Sequence, residues 1–96
     1  MGTAYKIQLS LVADVINQHD PIALLKQGAP NDEYSDEVQR IVAGLHKCAS
    51  VDDAQQLIYS VFKENFGQHT AGNVERYQRI AEELFQRLHQ SKVIGS

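Results

Sequence analysis

The chain has 96 residues, of which 43% are hydrophobic and 22% charged, a balance and length that fit one folded domain and are too small for two independent cores. Its net charge of −3 is uneven: through Asp53 eight carboxylates face four bases, whereas from Ala54 onward four face five. An acidic chain without a basic stripe gains nothing from counterion release on DNA or RNA, so direct nucleic-acid binding is disfavoured and a basic protein partner is expected.

The chain opens on Met-Gly-Thr-Ala-Tyr-Lys, which lacks the basic segment and apolar run of a secretion signal. A lone Cys48 closes no internal disulfide, and no apolar run approaches the ~20 residues of a membrane helix, so a cytoplasmic, membrane-free location is expected. The first helix is predicted over Ala4 to Gln18, with Tyr5, Leu9, Val12 and Ile16 on one face and Leu11 and Val15 widening it. Pro21 stops it near His19. Asp20 and Pro21 then suit the N-cap and first position of a short helix, roughly Pro21 to Gln27, with Gly28 as its left-handed cap and Pro30 as a block.

Asn31 or Asp32 is the next expected N-cap, and Glu33, Asp36 and Glu37 lie where a helix dipole favours anions. The helix that follows runs to about Lys47, with Tyr34, Val38, Ile41, Leu45 and Cys48 inward and Asp36 paired with Arg40 outside. Ser50-Val51-Asp52-Asp53 reads as a capping box with an unusual aspartate in its last place. It opens a helix to Phe66 that buries Ala54, Leu57, Ile58, Val61, Phe62 and Phe66 and stops at Gly67. His69 to Asn73 is predicted as a loop in which Thr70 or Asn73 caps the last helix. That helix turns Val74, Tyr77, Ile80, Ala81, Leu84 and Leu88 inward, with Phe85 beside them, and ends near Gln90.

No stretch alternates with the period of a strand. The expected fold is therefore all-α: a four-helix antiparallel bundle with a short extra helix after the first, spanning residues 1–94 as one domain. Gly95-Ser96 reads as a remnant of cloning.

The segment Asp20-Pro21, Leu24-Leu25, Gly28-Ala29-Pro30, Asp32-Glu33-Tyr34 and Glu37 resembles a small bacterial family of unknown function, found as short Bacillus-type hypothetical proteins. The likeness continues through Leu57-Ile58-Tyr59-Ser60-Val61-Phe62, Phe66-Gly67, Tyr77 and Ile80-Ala81, covering most of Val15 to Leu88. It implies a compact helical domain with no established activity or cofactor and hence no catalytic residue to carry over. Such domains are also similar to immunity proteins that bacteria keep beside contact-dependent toxins.

The chemistry-bearing side chains have ordinary alternatives. His19, His46, His69 and Cys48 lack the spacing of a zinc site, and His46 and Cys48, two residues apart on a helix, point about 200° away from each other. Ser50 and Ser60 lack the setting of a nucleophile, and no glycine-rich phosphate loop is present. Asp32, Glu33, Asp36 and Glu37 first explain themselves as capping and solvated surface, with Glu82 and Glu83 likewise solvated. Tyr34 reads as a core anchor or as an interface aromatic ringed by acids.

The expectation is a non-catalytic binding protein without metal or cofactor. It would be an immunity protein that covers the basic cleft of a toxin, such as a nuclease, through Asp32, Glu33, Tyr34, Asp36, Glu37, Asp52 and Asp53. A small enzyme or metal sensor built on histidine, cysteine and carboxylate is the alternative from a different class, and a structural adaptor the third.

Overall fold

A computed structural model describes the backbone of residues 2–30 and 33–90 and the side chains of residues 5–30 and 33–88. Four α-helices follow one another: α1 Gly2–His19, α2 Ser35–Leu45, α3 Val51–Ala71 and α4 Gln78–Gln90, the last entered through a 3₁₀ turn over Val74–Tyr77. Among the described residues there is no strand, and no helix is long and apolar enough to cross a membrane. The expected all-α bundle is the observed architecture. Each helix packs on the next in the chain, and α4 returns to α1.

One core runs through the middle of that ring, as the apolar periodicity requires. Val12, Val15 and Ile16 enter it from α1, Val38, Ile41 and Val42 from α2, Ala54, Ile58 and Phe62 from α3, and Ile80, Ala81 and Leu84 from α4. Phe62 is its hub. Its ring lies 5.7 Å from that of Tyr34, 5.8 Å from Phe66 and 5.4 Å from Tyr77, within the range of favourable aromatic pairs. The expected inward faces are recovered except at Val74, which is partly buried outside the core cluster, and at Tyr5, which is 48% exposed. It shares a stripe with Val12 and Ile16 but sits near the N-terminal end of α1, where that stripe has outrun the core.

The connection from α1 to α2 departs from expectation, because turns occupy Pro21 to Gly28 in place of the predicted short helix. Asp20 and Ala23 both take positive φ, +46° and +61°, so the backbone leaves helical geometry twice within four residues. The predicted stop at Gly28 is present. At φ +100° it lets Ala29 N–H reach the Leu24 carbonyl (3.1 Å) while its own N–H reaches that of Leu25 (3.0 Å), a Schellman closure around a single turn. Asn31 and Asp32, the expected caps of α2, lie outside the described residues. Tyr34 occupies the N-cap position and makes no side-chain cap bond.

Ser50 caps α3 as predicted, its hydroxyl accepting from Asp53 N–H at 3.2 Å. The reciprocal bond shifts by one residue: the shorter aspartate accepts from Ala49 N–H (3.0 Å) instead of from Ser50. Gly67, predicted to end the helix, breaks it at φ +86° and ψ 159°. One further turn then forms over Gln68–Ala71, where a loop was expected, and stops at Gly72, φ +82°. Tyr77 secures this turn by donating its buried hydroxyl to the Ala71 carbonyl at 2.6 Å. Asn73 stands at the N-cap of the 3₁₀ turn, but its side chain makes no cap bond.

Candidate functional site

The acidic residues singled out in the sequence fall into two places. α2 and α3 run antiparallel, so the start of α2 meets the later part of α3, and Asp36, Glu37, Glu64 and Asn65 come together there. Asp52 and Asp53 sit at the N-terminus of α3, beside the end of α2. The 11 residues of α2 separate the two groups by roughly 16 Å at the usual rise per residue. Asp32 lies outside the described residues.

Asn65 organises the first group. Its amide donates to Asp36 Oδ2 at 3.0 Å and to Glu37 Oε2, and its carbonyl oxygen accepts from Arg40. Arg40 also reaches Glu64 at 2.8 Å, so the guanidinium crosses to α3 instead of pairing with Asp36 on its own helix. Helical spacing marks an i, i+4 pair, but two acceptors on a neighbouring helix offer a better fork for a guanidinium. Glu33, Asp36 and Glu64 remain exposed.

Glu37 differs, being 4% exposed with its Oε1 buried and without a hydrogen-bond partner among the described residues. A carboxylate atom withdrawn from water without a donor is costly, so this residue weighs on the fold more than on the surface. The signal was in the sequence: Glu37 precedes Ile41 and Leu45 at four-residue steps and so shares their inward face.

Tyr34 is also interior, at 1% exposure. Its hydroxyl donates to Asp20 Oδ1 at 2.6 Å and accepts from Leu24 N–H at 3.3 Å. Asp20 in turn accepts from Leu25 N–H (3.0 Å) and Lys26 N–H (2.9 Å), so one carboxylate and one phenol gather the whole α1–α2 connection. Burial raises the Asp20 pKa, but the bonds from Tyr34, Leu25 and Lys26 outweigh it and leave the carboxyl below its ordinary value of 3.8. The Tyr34 phenol is pushed well above the usual tyrosine range, first by burial and then by its bond to Asp20. Of the two readings open to Tyr34, the geometry matches the core anchor.

Among the described residues the histidines and Cys48 occupy separate places in the fold. His19 ends α1 and bonds Glu83 of α4 at 2.9 Å, His46 caps α2, and His69 lies in the last turn of α3. Cys48 is partly buried with Sγ 3.6 Å from the Gly44 carbonyl, and burial, aided by the charge of Asp53, raises its thiol pKa. Such a thiol is a poor nucleophile. Among the described residues no group of three or more histidine, cysteine or carboxylate side chains is placed to hold a metal ion.

Among the grooves formed by the described residues, two bear on the site. One, of about 310 Å³, lies between α1 and α2 over Leu9, Ser10, Ala13 and Val38. The other, of about 810 Å³, is polar and follows α4 past His19, Arg76, Arg79 and Glu82. No family model matches the chain, and neither the curated proteins nor the solved structures contain a match.

Proposed function

We propose that the chain is a non-catalytic protein-binding module, an immunity protein that covers the basic cleft of a bacterial toxin. The observation that carries this reading is the acidic corner where α2 begins, at which Glu33, Asp36 and Glu64 are exposed and carboxylates outnumber the Arg40 guanidinium. Asn65 and Arg40 hold that corner in a fixed geometry before any partner arrives, which lowers the ordering cost of binding. Complementary charge speeds encounter with a basic surface and steers its orientation. Tyr34 and Glu37, being interior, support the surface from behind, and Asp52 and Asp53 form a separate acidic site about one helix length away.

The experiment asks first whether a neighbouring gene encodes a toxin domain and then whether that domain, purified, binds this chain, measured by stopped flow across a range of salt. Charge reversal of Glu33, Asp36 and Glu64 is expected to slow association at least tenfold at low salt, with the difference shrinking as salt rises. An association rate that ignores these substitutions removes this corner as the docking surface. Failure to inhibit the toxin removes the immunity reading itself.

A further inference from the structure

A second surface stands on α1, independent of the acidic corner. This helix packs on α2 and α4, and its remaining side faces outward. Lys6, Ser10 and Asp14, four residues apart, lie on that side and are exposed, as is Ile7 at 37%. Ala13, beside them and partly buried, joins Ser10 in lining the groove toward α2. The face is sparse in charge: Lys6 and Asp14 are the lysine and the carboxylate of an 18-residue helix, and neither has an ion-pair partner among the described residues.

The order of these residues has a symmetry. Lys6 lies four positions before Ser10 and Asp14 four after it, while Ile7 and Ala13 lie three before and three after. Two copies of α1 laid antiparallel, with the two-fold axis at Ser10, place each Lys6 opposite the other copy's Asp14 and each Ile7 opposite the other copy's Ala13. Large then meets small and cation meets anion, each twice, as a self-complementary two-fold interface requires. Small side chains at Ser10 and Ala13 permit close helix approach, and beside Ala13 the groove between α1 and α2 has room for the other copy's Ile7.

We infer that a second copy of this chain docks antiparallel on the outer face of α1, centred on Ser10 and held in register by reciprocal Lys6–Asp14 pairs.

Sedimentation equilibrium of the full chain over a wide concentration range tests this, the expected limit being twice the 10.8 kDa of one chain. Lys6→Glu or Asp14→Lys alone creates two like-charge pairs and is expected to weaken the dimer about tenfold or more. The double variant restores both pairs, and so does mixing the two single variants, which fit each other but not themselves. Because both side chains are exposed, helicity by circular dichroism is expected to be unchanged throughout. Ser10→Arg places two cations on the axis and is expected to leave only monomer.

A native chain that remains monomeric at every concentration overturns the inference and leaves the groove to a different protein. A dimer indifferent to the single reversals, or not restored by the double variant or the mixture, overturns this interface in favour of another.

Discussion

Asp20 and Tyr34 are two side chains whose loss would be felt beyond their own contacts. Tyr34→Phe keeps the ring against Phe62 but removes the donor to Asp20 and the acceptor for Leu24 N–H. The expected cost is about 1–3 kcal/mol, read from urea unfolding, because the partners left behind are partly buried. The two groups also predict opposite pH arms. The Asp20 carboxyl is depressed in the fold, so its contribution is complete above the ordinary carboxylate value and is lost as pH falls through the folded-state value. Asp20→Asn should therefore be less stable at neutral pH and flatten the acid arm below about pH 4. The phenol of Tyr34 is raised, so its contribution is present below about pH 10 and falls as pH climbs past that value, where only the unfolded chain releases the proton. Tyr34→Phe should lose less stability than the native chain in that alkaline range.

At the level of elements, the clasp between α2 and α3 combines a benefit with a burden. Asn65 supplies a donor to the buried Glu37, and Asn65→Ala leaves that carboxylate worse off, at an expected cost of about 1–3 kcal/mol. In a Glu37→Met background the same substitution should cost markedly less, and a double-mutant cycle by chemical denaturation measures the difference. α3 carries a second device. The φ and ψ of Gly67 lie in a region that essentially only glycine occupies, so Gly67→Ala should destabilise by about 1–3 kcal/mol although no atom obstructs the added methyl. A melting temperature unchanged by this substitution would show that the kink is dispensable.

These elements also mark what a sequence can disclose. Apolar positions at three- and four-residue steps located every helix, and Ser50, Gly28 and Gly67 gave stops and starts through local backbone preference. Asp20 was legible as a hydrogen-bond acceptor, but its use was not. The Tyr34 hydroxyl that recruits it lies fourteen residues on and arrives through packing, drawing the chain into turns where a capped helix was expected. Arg40 repeats the lesson, its acceptors Glu64 and Asn65 lying 24 and 25 residues away. The acids at Asp36 and Glu37 are adjacent in sequence, yet only one remains on the surface, since a helix turns 100° between them.

For the whole molecule, the four helices share one core whose centre is Phe62. Phe62→Ala removes a fully buried ring touching aromatic neighbours that come from three parts of the chain, and about 3–5 kcal/mol should be lost in urea or thermal unfolding. For a chain of this length that is a large share of the total, and partial loss of structure at 37 °C is the expected phenotype. A mere fraction of a kilocalorie would mean that the core closes over the gap.

The ring-like succession of the helices carries a kinetic consequence. Three of the four main packings join elements consecutive along the chain, and only α1 with α4 brings distant parts together. Most of the entropy of loop closure is thus incurred in small steps, which places the chain among rapidly folding topologies. The seam between first and last helix closes at the greatest separation and is the natural place for the assembled ring to reopen.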